Sequence, residues 1–127
     1  MDFVDKMWDK FCLYYKSENL DEDTKSIVKS LFYTLFFLII DEGNCSTKCE
    51  YWCRFMQLTR EYSFLPGVEE KFNDLISRSS NEKVIKYFNE FAKIKQGYGV
   101  FFANLYTCAE LLILKEFGLR VWEKCKL

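Results

Sequence analysis

The residues that could do chemistry in this chain are cysteines and carboxylates, because none of its 127 residues is a histidine. Without histidine the chain lacks the commonest general base, the usual partner of serine and cysteine nucleophiles, and the commonest metal ligand. The acidic residues fall on the polar faces of predicted helices, where we expect them to be solvated rather than paired for acid–base work. No glycine-rich phosphate loop follows a strand pattern. We therefore predict no catalytic residues and no enzyme.

Three of the six cysteines, Cys45, Cys49 and Cys53, repeat at four-residue spacing. On a helix this spacing places Cys49 and Cys53 on one face, with Cys45 at the start. Zinc sites use similar spacings but need four ligands. The fourth ligand here would have to be another cysteine or a carboxylate. Buried cysteines also behave as small apolar residues, and we favour that interpretation. The prediction is no metal and no cofactor.

The N-terminus, Met-Asp-Phe-Val-Asp-Lys, lacks the basic-then-apolar order of a secretory signal. Six cysteines outside a secretory context favour free thiols over a disulfide framework. No C-terminal anchor precedes Lys126-Leu127. We therefore expect a reducing, cytoplasmic location.

Composition favours one helical domain over residues 1–127. Half of the residues are hydrophobic and 19% are aromatic, with thirteen phenylalanines against one proline and five glycines. This excludes disorder and favours a large aromatic core. Eighteen basic residues nearly balance nineteen acidic ones, so no basic surface for nucleic acid or anionic lipid is expected. A protein partner is the better prediction.

Apolar spacing and capping residues predict an all-α bundle of six to seven helices. The acidic run 21–23 and Gly43 bound the second helix, and Thr47 and Glu50 form a capping box for the third. The Leu65-Pro66-Gly67 sequence ends the third helix. The expected helices cover residues 2–17, 21–43, 47–62, 68–78, 82–97 and 97–118, followed by a short last piece.

Residues 97–114 are apolar on nearly every helical face, which is typical of a helix surrounded by protein or lipid. The run is too short for a membrane span, and Glu110 interrupts it. We therefore predict that it is the buried central helix. Gly97 is expected to end the preceding helix in a left-handed conformation. Gly99 indicates either a tight turn or close approach by another backbone or a ligand helix.

The opening of this helix, Gly97-Tyr98-Gly99-Val100-Phe101-Phe102-Ala103, resembles the first homology motif of the Bcl (B-cell lymphoma) family of apoptosis regulators. Tyr98 takes the place of the family's tryptophan, Gly99 that of its glycine and Ala103 that of a small residue. The resemblance covers residues 81–114, about a quarter of the chain. It is closest in kind to the small, divergent forms that large DNA viruses carry.

The chain departs from the family pattern at several positions. Val100 replaces the family's arginine, and Gly97 replaces its asparagine. Only residues 115–127 follow the central helix. Among them, Gly118 and Trp122 resemble the family's second motif over a short stretch.

The resemblance implies an inhibitor of apoptosis that holds the amphipathic death-motif helix of a pro-apoptotic protein in an apolar groove. Such ligands insert apolar anchors one and two turns apart into pockets lined by aromatic and aliphatic side chains. The third to fifth helices would form the walls. The residues predicted to contact the partner helix are Tyr51, Phe55, Leu58, Phe72, Leu75, Phe88, Phe91, Tyr98, Gly99, Val100, Phe101 and Phe102.

Because Val100 cannot pair with the acidic residue of a death motif, we expect Arg54 or Arg60 to substitute, or binding to be restricted to few partners. An empty apolar groove also favours a homodimer. The resemblance implies action in the host-cell cytoplasm, with any mitochondrial association made through partners.

Two other functions fit the sequence without the resemblance. The aromatic surplus could be only core and interface in a helical scaffold or self-associating protein. The same phenylalanines could instead line a cavity in a carrier of apolar ligands.

Overall fold

The computed structural model describes residues 2–16, 21–94 and 97–126, and within them the chain forms seven helices and no strand. The predicted all-α class is therefore confirmed. The helices are α1 (Phe3–Cys12), α2 (Glu22–Glu42), α3 (Lys48–Ser63), α4 (Val68–Ser77), α5 (Glu82–Phe91), α6 (Tyr98–Phe117) and α7 (Leu119–Lys126).

Side-chain caps set the starts of four of these helices, including α5, where the side-chain oxygen of Asn81 accepts from the backbone N–H of Lys83. The carboxylates of Asp2 and Asp21 accept backbone N–H groups at the starts of α1 and α2. Thr47 and Glu50 form the predicted capping box at the start of α3. Gly43 ends α2 in the left-handed conformation with φ of 69°, where glycine carries little steric penalty. The sequence therefore predicted the starts of α2 and α3 and the end of α2 correctly, whereas α1 ends at Cys12, earlier than expected.

The central helix of the bundle is α2. Every residue from Ser30 to Phe37 is buried, so this segment has protein on all sides. Its two short polar side chains satisfy their hydroxyls within the helix. The hydroxyl of Ser30 donates to the carbonyl of Ser26 at 2.9 Å, and that of Thr34 donates to the carbonyl of Ser30 at 2.8 Å. These bonds remove most of the desolvation cost of burying a hydroxyl.

The prediction that residues 97–114 form the surrounded central helix is wrong, because α6 has one solvent-exposed face. Val100 is 55% exposed and Leu111 is 42% exposed. Both lie on one stripe with Ala103, Thr107 and Leu114, which are also exposed. The opposite face, including Phe102, Leu105 and Ala109, is fully buried. Because several residues on the exposed stripe are apolar, the sequence of α6 resembles that of a helix buried on every face, although only one face of α6 is buried.

Helices α2 and α5 pack along each other, as do α3 and α6, and α7 lies against both α3 and α6. Aromatic rings fill the space between them. Phe11 of α1 lies 5.0 Å from Phe32 and 5.7 Å from Phe55, measured between ring centroids. At the other end of the core, Phe72 lies 5.1 Å from Phe102 in an edge-to-face pair. The core is thus continuous from α1 to α6.

Among the helices described, none combines the length and apolar character that a membrane crossing requires.

Candidate functional site

The start of α6 is held in place by α4. The backbone N–H of Tyr98 donates to the carboxylate of Glu69 at 3.1 Å, and the Tyr98 hydroxyl donates to the side-chain oxygen of Asn73 at 3.0 Å. Glu69 thereby caps a helix whose own N-cap residue, Gly97, has no side chain. Burial raises the pKa of Tyr98, so its hydroxyl remains a neutral donor.

The expectation for Gly97 is wrong. Helix α5 ends at Phe91, and Gly97 is the N-cap of α6 in an extended conformation with φ of −65°. Gly97 therefore does not end α5 in a left-handed conformation.

Gly99 leaves space on the surface of α6. Among the described residues, a Cβ atom built at this position would meet only the backbone carbonyl of Ser63, at 3.9 Å. That distance is ordinary van der Waals contact, so packing within the chain does not require glycine here. Close approach by a partner backbone at Gly99 stays a prediction.

Most of the predicted groove residues belong to the core. Tyr51, Leu75, Phe88 and Gly99 are half-buried, and Val100 is exposed. The other seven side chains are buried in the core, so they do not line an open groove in this conformation. These buried residues are Phe55, Leu58, Phe72, Phe91, Tyr98, Phe101 and Phe102.

The two candidate arginines differ in availability. Arg54 makes a two-pronged ion pair with Glu42, at 2.8 and 2.7 Å, and this pairing raises the pKa of the arginine. Arg60 is exposed and donates to the backbone carbonyl of Lys126 at 3.2 Å. Within the described residues Arg60 has no acidic partner. Arg60 is therefore the arginine free to meet an acidic ligand.

A surface that sequence reasoning missed lies between α3 and α6, and α7 covers one end of it. Trp122 of α7 donates its indole N–H to Glu110 of α6 at 3.0 Å. Gln57 of α3 donates to the backbone carbonyl of Cys125 at 2.9 Å. Val121, Trp122 and Cys125 are the more buried residues of α7. Their helical spacing is the sequence signal that could have predicted this docking.

The remainder of this surface is open. Helices α3 and α6 are antiparallel, since Gly99 lies beside Ser63 while Trp52 and Phe117 line one cavity at the opposite end. On α3, the residues one and two helical turns after Gln57 on this face are Arg60 and Phe64. On α6, the residues one, two and three turns before Glu110 are Tyr106, Ala103 and Gly99. We call these five residues the α3–α6 surface.

The α3–α6 surface combines apolar exposure with a depression and a cation. Phe64 is 75% exposed, which is unusual for a large aromatic side chain. A depression of about 520 Å³, lined by Gln57, Arg60, Glu61, Phe64 and the end of α7, begins where α7 stops. An exposed aromatic residue beside a free arginine is a common composition for a protein-binding surface.

The sequence favours free thiols over a disulfide framework, but two of the six cysteines are paired. Cys53 of α3 and Cys125 of α7 form a disulfide, with their Cα atoms 5.2 Å apart. The fold brings them together across 72 residues of sequence, a pairing that spacing alone could not indicate. Cys12, Cys45, Cys49 and Cys108 are free. Across residues 2–16, 21–94 and 97–126, no group of three or more His, Cys, Asp or Glu side chains could hold a metal ion.

No protein-family model matches this chain, and neither the curated proteins nor the solved structures contain a match to it.

Proposed function

We propose that the protein binds an amphipathic helix of a partner protein on the α3–α6 surface, and that the partner is the death-motif helix of a pro-apoptotic protein. The observation that carries the proposal is the docking of α7. An amphipathic helix of the chain itself, α7, lies against α3 and α6 directly beside the α3–α6 surface, which has the same two walls and carries no helix from the described residues. Sequestering a death-motif helix would make the protein an inhibitor of apoptosis in the host-cell cytoplasm.

The chemistry of the open end supports an amphipathic ligand. Phe64 offers an apolar contact on the α3 side. Ala103 and Gly99 are small residues that allow a ligand backbone to come close on the α6 side. Arg60 can pair with an acidic residue of the ligand, the role that Val100 cannot fill. The proposal thus places the contacts of the resemblance on the outer face of α3 and α6 instead of among the phenylalanines of the core.

Arg60 is the one cation among the five residues of the α3–α6 surface, so its position limits which ligands can bind there. Leaving the acidic residue of a ligand desolvated and unpaired costs on the order of 2–5 kcal/mol. Death motifs that cannot place their acidic residue against Arg60 should therefore bind poorly. We expect tight binding to few members of a panel of death-motif peptides.

The proposal is tested by titrating fluorescently labelled death-motif peptides with the purified protein and measuring anisotropy. Gly99→Glu should abolish binding, because it places a charged side chain on the contact face. Arg60→Glu should weaken binding at least tenfold, since it reverses the charge that meets the ligand's acidic residue. Circular dichroism should show unchanged helicity for both variants, because neither side chain is packed in the core.

Asn89→Glu supplies a matched control, because it adds the same charge to an exposed position on α5. It should bind like the parent protein. Failure of every peptide to bind would overturn the proposal, as would equal affinities for the parent and Gly99→Glu proteins. Analytical ultracentrifugation of the unliganded protein addresses the homodimer. A dimer dissociated by Phe64→Ser, with no peptide bound, would favour the self-associating interaction protein instead.

A further inference from the structure

A second cavity lies at the end of the bundle remote from Gly99, between α1, α3 and the end of α6. Its volume is about 300 Å³, which is at the lower end of the range for small-molecule sites. Met7 and Trp52 form part of its wall, and each is only 2% exposed. Phe3 and Phe117, both half-buried, complete the apolar lining.

The net charge of the residues that line this cavity is opposite in sign to the net charge of the whole chain. Three lysines and one glutamate line it, which gives a net charge of +2, whereas the whole chain carries −1. The glutamate, Glu116, is already matched, because Lys10 lies 2.6 Å from it and this bond holds the pKa of Glu116 below its usual value. Lys6 and Lys48 make no ion pair with any described residue.

We propose that this cavity binds a small amphiphilic anion, of the chemical class of medium-chain carboxylates. The apolar chain would lie against Trp52 and Met7, where its burial is favourable in proportion to the area removed from water. The carboxylate would lie at the rim, where Lys6 and Lys48 supply positive charge that the chain leaves uncompensated. An uncharged ligand would use only the apolar walls, and a cationic one would be repelled.

This site differs from the cavity expected for the carrier of apolar ligands considered from the sequence, because its lining is not the set of core phenylalanines named there. It is also independent of peptide binding, since it shares no residue with the α3–α6 surface. Decanoate binding can therefore succeed or fail whatever the outcome of the peptide titration.

The test uses sodium decanoate, with decanol and decyltrimethylammonium as uncharged and cationic comparisons of the same chain length. Isothermal titration calorimetry gives the affinities. Indole N–H resonances in ¹H–¹⁵N spectra locate the site, because the chain has three tryptophans. We expect decanoate to shift the Trp52 resonance and to leave that of Trp122 unchanged, since Trp122 lies on α7 against Glu110. Decanoate should bind more tightly than decanol, and the cationic compound should not bind.

The variant Lys6→Gln with Lys48→Gln isolates the electrostatic contribution while leaving the Lys10–Glu116 ion pair intact. It should weaken decanoate binding about fivefold or more and leave decanol binding unchanged. Lys83→Gln with Lys86→Gln, which removes two exposed lysines from α5, is the matched control and should bind decanoate like the parent. The proposal is overturned if decanoate fails to bind at about 1 mM. Equal affinity of the parent and the Lys6/Lys48 variant, or equal binding of decanol and decanoate, would also overturn it.

Discussion

Burial raises the pKa of the Cys108 thiol to about 11. Since the thiolate is the reactive form, we expect iodoacetamide at pH 8 to alkylate folded Cys108 on the order of 100-fold more slowly than a thiol with the ordinary pKa of 9.0. The rate should rise about tenfold for each pH unit between 8 and 10. Mass spectrometry of the Cys108 peptide after timed exposure measures this rate, and urea-unfolded protein is the control. Equal rates in the folded and unfolded protein would contradict the prediction.

Single residues in and beside the α3–α6 surface show which features local sequence can reveal. The Tyr98-Gly99 pair was recognisable because an aromatic residue and a glycine opening an apolar helix form a local pattern. The bonds from Tyr98 to Glu69 and Asn73 were not, since they join positions 29 and 25 residues away. The exposure of Phe64 could not be predicted either, because nothing in the adjacent sequence distinguishes Phe64 from the twelve other phenylalanines, many of which are buried.

At the scale of elements, α7 is attached to α3 by polar bonds and by the Cys53–Cys125 disulfide. Closing a long loop restricts the unfolded chain, and for a sequence separation of 72 residues this is worth on the order of 4 kcal/mol. We therefore expect a phosphine reductant to lower the free energy of unfolding by about that amount. Urea denaturation of the oxidised and reduced protein, followed by circular dichroism, measures the difference.

Cys53→Ala separates the disulfide from other effects of the reductant. This variant should match the reduced parent protein in stability and should not respond to reductant, whereas Cys45→Ala should retain the full response because Cys45 is free. A parent protein equally stable with and without reductant would refute the prediction. The Cys53–Cys125 disulfide is a contact that helical periodicity in the sequence cannot predict. Periodicity places Cys53 on a helix face, but only the return of α7 across α3 brings Cys125 to it.

At the scale of the whole molecule, the sequence predicts the helices well and their arrangement poorly. Caps and glycines are local signals, so the boundaries at Asp21, Gly43 and Thr47 were correct. Which helix becomes central depends on how all the faces are shared. Both α2 and α6 are strongly apolar, and the sequence favoured α6 because Val100, Leu111 and Leu114 conceal its exposed stripe. In α2 the two short polar residues over 30–37, Ser30 and Thr34, bond to their own helix and so can be buried.

Core truncation distinguishes a central α2 from a central α6. Phe36 is fully buried, with ring centroids 4.6 Å from Phe32 and 5.0 Å from Phe55. Phe36→Ala should therefore lower the free energy of unfolding by about 3–5 kcal/mol, since it leaves a cavity that the neighbours cannot fill. Val100→Ala should change it by less than about 0.5 kcal/mol, because the side chain is more than half exposed and alanine favours the helix. Urea titrations of both variants give the values. If Val100→Ala lowered the free energy of unfolding nearly as much as Phe36→Ala, α6 would be the helix buried on every face. A much larger loss for Phe36→Ala than for Val100→Ala is what a bundle built around α2 requires.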